Sequence, residues 1–280
     1  MIMTRSERLV SCKQCKNRYL DFNKGLLCNL TGKEADFEGE CQDFEQDVSN
    51  TYIRKPKEAI RPNTNRALWA QYLIWAILGF SLFSLLSSYL QYDLLLKVQE
   101  GFYVSEHELT NNDLREGVVG IITIVLYVTS VILFIRWFRR AYYNLNSRGN
   151  TTYDEGWAAG SWFVPIINLF RPYQIMKEID DENCRLIEKH SQKPISKSSI
   201  LIGFWWAAWI IGGILGRYIF KSGLNAETLE ELMASTQADM LGIVFDVPLS
   251  LLAIFTIREI SKKEDLLFQL EEKSLEKTQA

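Results

Sequence analysis

A chain of 280 residues with 31 Lys and Arg against 34 Asp and Glu has a formal charge of only −3, which excludes a strongly basic nucleic-acid-binding face. Its hydrophobic content of 48% is ordinary as an average. The average conceals four long, nearly charge-free runs diluted by polar tails, a pattern that excludes an ordinary soluble fold.

The first 50 residues hold four of the five cysteines, Cys12, Cys15, Cys28 and Cys41. The first pair is C-x2-C, a turn that presents two thiolates to one metal, and the two later cysteines could close a tetrahedral set. So short a segment buries little core, and a structural zinc would supply the missing stability. An iron–sulfur site, redox thiols or unligated cysteines remain open as alternatives. Four thiolates leave no vacant coordination position, which speaks against a catalytic zinc. Turn residues at Asn23-Lys24-Gly25 and Thr31-Gly32 fit a small zinc-ribbon-like knuckle. A basic linker, 51–66, follows, with Arg54, Lys55, Lys57, Arg61 and Arg66.

The membrane domain is expected over 67–259, with spans at about 67–91, 117–138, 198–220 and 239–258. Each is long enough to cross the hydrocarbon core as a helix, which satisfies its own backbone. Basic residues crowd alternate ends: the linker before the first span, Arg136, Arg139 and Arg140 after the second, Lys193 and Lys197 before the third, and Arg258, Lys262 and Lys263 after the fourth. The connections Asp93 to Glu116 and Lys221 to Asp239 are instead acidic, so both termini are expected in the cytoplasm of a cell with an inner membrane. No cleavable signal is visible, because the first apolar run begins only at Ala67.

The connection between the second and third spans is the most distinctive segment. The run Gly156 to Phe170 is charge-free but too short to span, and Pro165 interrupts it, which predicts a re-entrant or interfacial element within 156–180. Trp157, Trp162 and Tyr173 are residue types that favour the headgroup region. Asn168 and Arg171 would add polar contacts suited to a lipid headgroup or small anion; the plainer alternative is an aromatic anchor that plugs the bundle. A helix is predicted from Arg171 to Lys189 with Ile175, Met176, Ile179 and Leu186 as its apolar stripe. Cys184 stands alone.

Here the chain resembles a known family, the bacterial multi-pass membrane proteins catalogued as domain of unknown function 4328. The resemblance rests on Arg139-Arg140-Ala141-Tyr142-Tyr143-Asn144-Leu145, on Gly156-Trp157 through Trp162-Phe163-Val164-Pro165, on Asn168-Leu169 and Arg171-Pro172-Tyr173, and on Trp205-Trp206 with Trp209. It covers roughly Leu68 to Glu259 and implies a four-span fold but no activity. The cysteine module lies outside it.

Asp246 falls inside the fourth span, two residues before Pro248, and an acid there is costly enough to suggest a role. Arg217, near the outer end of the third span, is a possible partner in an antiparallel neighbour. Ala208, Gly212 and Gly216 form a small-residue stripe suited to close packing within the bundle or to a homo-oligomer. Residues 260–280 read as a charged amphipathic tail with Leu266, Leu267, Leu270 and Leu275.

No metalloprotease, nucleophile-elbow, phosphate-loop or dinucleotide motif is present, and the two histidines, His107 and His190, are isolated. The expected fold is an all-α membrane bundle with a small cysteine-rich module. The expected role is non-enzymatic, sensing or scaffolding, with a zinc-stabilised tail engaging a cytosolic protein partner. A transporter or channel component using Asp246, and a lipid-modifying enzyme, are the alternatives.

Overall fold

The computed structural model describes residues 8, 11–12, 15–21, 25–37, 39–45, 60–149 and 151–279. Arg54, Lys55 and Lys57 of the expected linker lie outside these, as do Asn23, Lys24 and the side chain of Leu275. The chain divides into two compact units, residues 1–59 and 60–280.

In the first unit, β1 (Arg18–Asp21) pairs antiparallel with β2 (Gly25–Cys28), with Arg18 opposite Cys28 and Asp21 opposite Gly25. Gly25 and Gly32 adopt φ of 87° and 67°, conformations that a side chain disfavours and glycine accepts. Leu27 and Cys15 are buried. A two-stranded hairpin with so small a core is marginal without a staple.

The second unit is helical: α1 (Thr64–Gln99), α2 (Glu106–Arg148), the single turn α3 (Trp157–Gly160), α4 (Arg171–Ser191), α5 (Ser199–Leu224) and α6 (Leu229–Gln279). Four of these, α1, α2, α5 and α6, are long and apolar enough to cross a membrane. They outrun the expected spans. The connection foreseen from Asp93 to Glu116 is mostly helical, because Ser105 starts α2 with a capping box: its hydroxyl accepts from Glu108 N–H while the Glu108 carboxylate accepts from Ser105 N–H. The residues after 259 likewise continue α6 as one helix. Pro172 at the first turn of α4 and left-handed Gln192 just past its end fix that helix close to its predicted bounds.

The four long helices pack side by side in the order α2, α1, α6, α5, and the two outermost make no extended contact. α3 and α4 close one end of this row, the capped end; the short links 100–105 and 225–228 mark the open end. Burial is concentrated at the capped end, where Trp137, Phe138, Tyr142, Ile175, Met176, Ile179, Ile202, Ile257 and Ile260 are all fully or nearly fully enclosed. Along the middle of α2, by contrast, Ile121, Ile124, Val125, Val128 and Ile132 are exposed. So large an apolar surface suits lipid rather than water.

Candidate functional site

The segment between α2 and α4 folds against the capped end. Trp162 is its centre, with ring centroids 5.5 Å from Phe134 of α2, 5.9 Å from Trp206 and 5.5 Å from Trp209 of α5. Trp206 and Trp209 stack at 4.7 Å because they are one turn apart on α5, and Tyr173 of α4 stacks on Trp206 at 6.2 Å. The Trp206 indole N–H donates to the Leu169 carbonyl at 3.1 Å, tying the hairpin to α5. The Arg171 guanidinium lies over the rings of Tyr153 at 4.1 Å and Trp157 at 5.3 Å. Arg171 Nε, Ser161 Oγ and Trp162 Nε1 are buried there with no hydrogen-bond partner. Four of the five residues expected to serve a headgroup therefore belong to two adjoining aromatic clusters. The fifth, Asn168, is half-buried in the 3-10 turn Ile167–Leu169, and among the described residues no hydrogen bond engages its amide.

Ile166 begins that turn at φ 68°, an outlier for a β-branched residue. The kink leaves Phe163, Val164, Pro165 and Ile166 exposed in succession, an apolar lip beside an aromatic girdle. The lip lies within 156–180, the segment expected from the sequence to be re-entrant or interfacial.

Beneath the aromatic layer lies a buried polar layer that the sequence did not reveal. Glu264 of α6 accepts from the Asn63 amide at 2.9 Å and the Asn144 amide at 2.5 Å. Asn144 also grips the backbone of Arg61 in both directions, accepting from its N–H at 3.0 Å and donating to its carbonyl at 2.9 Å. Asn63 donates to the Trp137 carbonyl as well, and Trp137 donates its indole N–H to Ser261. Asp180 of α4 accepts from Lys263 at 2.5 Å and from Ser198 N–H at 2.6 Å. Arg148 makes a bidentate contact with Glu271. Cys184 is buried beside Asp180 and Lys263, and burial pushes its thiol above the ordinary value. On a helical wheel Glu264 and Lys263 read as one solvated charge run; the only available signal was that Lys263 and Glu264 share a face with buried Ile260 and Leu267.

In the first unit, Cys12, Cys15, Cys28 and Cys41 all line one cavity of about 360 Å³. Burial, then the neighbouring Cys41, Cys15 and Cys28, raise the Cys12 thiol. Burial opposes ionisation of Cys28 too, but the backbone N–H groups of Leu30 and Thr31 and the Thr31 hydroxyl outweigh it and lower that thiol. Among the described residues, no group of three or more His, Cys, Asp or Glu side chains is placed to hold a metal ion.

Asp246 and Arg217 are both exposed, and no ion pair joins them. Tyr127 of α2 lies within electrostatic range of Asp246. Of the small-residue stripe, Gly212 packs within the chain: a Cβ there would meet Leu249 at 3.2 Å and Phe245 at 3.4 Å of α6. Gly216 faces open space.

These features define a four-helix, membrane-type bundle closed at one end by an aromatic hairpin. The chain belongs to the family described as Domain of unknown function (DUF4328), whose profile matches residues 101–262. The match begins after α1, later than the Leu68 boundary drawn from the motifs, and leaves the cysteine module outside. No curated protein and no solved structure matches the chain.

Proposed function

We propose that the protein is a non-enzymatic membrane module, with a sensing or scaffolding role, whose N-terminal cysteine knuckle binds structural zinc and engages a cytosolic protein. The observation that carries this reading is the grip on the lead-in to α1. Arg61 and Asn63, just before α1, are held by Asn144 of α2 and Glu264 of α6. Through that lead-in a change of state in the cysteine unit would reach the bundle. Four thiols around one cavity are a donor set that suits zinc. Arg61, Arg66, Arg136, Arg139 and Arg140 at the capped end support an orientation with that end, and both termini, in the cytoplasm of an inner membrane. There Trp157 and Tyr173 act as headgroup anchors and Arg171 as a lipid-phosphate contact.

The test joins metal analysis to amide exchange on the full chain. Elemental mass spectrometry should find about one zinc per chain, lost in Cys12→Ser/Cys15→Ser. Chelation should then raise hydrogen exchange over residues 60–66, as Asn144→Ala should without chelation. Absence of metal overturns the knuckle, and unchanged exchange overturns the coupling. A transport role is the second reading, favoured by the unpaired Asp246 carboxylate inside an apolar helix.

A further inference from the structure

The faces that converge on the aromatic cluster diverge above it. Seven residues, or two turns, separate Tyr127 from Phe134 on α2, Asp246 from Ala253 on α6, and Gly213, Gly216 and Arg217 from Trp206, Trp209 and Ile210 on α5. In each case the second residue belongs to the core at the capped end, the first lies two turns towards the open end on the same face, and the first is exposed. α2 and α5 meet at the foot, where the rings of Phe134 and Trp205 are 5.7 Å apart, and make no extended contact above it, so these faces line a cleft that opens sideways between them. Its floor is Phe134, Trp162 and Trp209, and its back wall is α6.

Two opposite charges stand in this cleft. Gly212 lies opposite Phe245 and Leu249, and Gly242 opposite Ile219, so Arg217 is level with residues 242–244 of α6. It is therefore about 4 Å nearer the open end than Asp246, at 1.5 Å per residue. No hydrogen bond or ion pair engages the Asp246 carboxylate, the Arg217 guanidinium or the Tyr127 hydroxyl among the described residues.

We propose that this cleft binds a phospholipid with an ammonium–phosphate headgroup, the ammonium at Asp246 beside Tyr127 and the phosphate at Arg217. Charge complementarity selects it. A simple amine leaves Arg217 unmatched and an anionic headgroup leaves Asp246 unmatched, and each residual charge is costly in an apolar medium. A neutral zwitterion satisfies both. The surrounding bilayer supplies the molecule. Ile124 and Val128 of α2 and Ile214 and Phe220 of α5, all exposed beside the opening, offer its acyl chains an apolar track. Gly213 and Gly216 leave the space: a Cβ at either position meets nothing within 4 Å.

The site is separate from the cysteine knuckle, so its test does not depend on metal. The full chain is reconstituted in vesicles of equal phosphatidylethanolamine and phosphatidylglycerol, re-extracted, and its retained lipid counted by native mass spectrometry. Wild type should keep phosphatidylethanolamine in preference. Asp246→Asn and Arg217→Gln should each retain roughly tenfold less, the loss of one charge-assisted contact. Gly216→Leu, which fills the cleft without touching either charge, should lose the lipid while its helical circular dichroism and thermal unfolding stay at the wild-type values. Equal retention of phosphatidylglycerol, or retention unchanged in the three variants, overturns the proposal. So does a change of oligomeric state in place of lipid loss, which would make a second copy the occupant.

Discussion

Asp180→Ala is the sharpest probe of how the capped end is held. Asp180 is fully buried and Lys263 nearly so, and the carboxylate accepts from both Lys263 and the backbone of Ser198. These contacts join α4, α6 and the start of α5. Removing the carboxylate leaves a buried ammonium with no anionic partner, only the Ser198 hydroxyl 2.9 Å away and the Cys184 thiol. Breaking a buried pair from one side costs about 3–5 kcal/mol. At about 2–4 °C per kcal/mol for a unit of this size, the midpoint should fall by about 6–20 °C. Asp180→Leu/Lys263→Met removes both charges at similar volume and leaves only the Ser198 groups unpaired, a loss of about 1–3 kcal/mol. The assay is thermal unfolding in detergent micelles followed by far-ultraviolet circular dichroism, closed as a double-mutant cycle. If the single variant melts within about 2 °C of wild type, or the double variant falls as far as the single one, the buried charge pair is not what holds these elements.

Three further outcomes are expected. Ile166→Gly relieves a positive-φ β-branched residue, a strain of about 1–3 kcal/mol, and loses little burial because Ile166 is 74% exposed, so the same melt should move upward; a downward shift would refute the strain. Gly242→Leu should destabilise, since even a Cβ there stands 2.7 Å from Ile219 Cδ1, whereas Gly216→Ala should be neutral or stabilising because its site is open and alanine favours helix. For Cys184, the folded thiol holds its proton to higher pH than the unfolded one. Its contribution is therefore complete below the unfolded value, about 8.5, and is lost as pH rises through the raised value. Cys184→Ala should flatten that alkaline slope in a series of melts from pH 7.5 to 10 (a span chosen about the thiol's ordinary value), and an unaltered slope would assign it to other groups.

The long apolar runs made four helices legible because each signal is local: length, lack of charge and a consistent face. The α4 stripe was legible for the same reason, and Ile175, Met176 and Ile179 are fully buried. Helix ends were less so. A charged segment such as Asp93–Gln99 reads as loop by composition, yet it continues α1 because the Asp93–Lys97 pair lies along the helix face at i,i+4 and no glycine or proline intervenes before Gly101. The polar layer around Asn63, Asn144 and Glu264 was illegible: these residues are 81 and 120 positions apart in sequence, and only the packing of α1, α2 and α6 brings them together. Asp246 stood out in the sequence because it is the one acid in the fourth apolar run. No ion pair joins it to Arg217 among the described residues, because the α5–α6 register sets the two about 4 Å apart along the helices.

The two ends of the bundle are held by different chemistry, and the difference bears on how a ligand could enter. At the capped end every long helix is bound by buried polar contacts or aromatic packing. At the open end Arg115 ties α2 to Ser87 of α1, while Gln91 and Tyr92 of α1 bond Thr236 and Gln237 of α6. α5 has no such tie: beyond Trp206, among the described residues, no side-chain hydrogen bond joins it to another element. Its outer half rests on α6 through Gly212 and through Ile219 against Gly242. Apolar contacts of this kind are non-directional and survive sliding, whereas the hydrogen bonds of α1, α2 and α6 do not. Widening the gap between α2 and α5 therefore breaks no polar contact, and the aromatic cluster at its foot is the hinge about which α5 would turn.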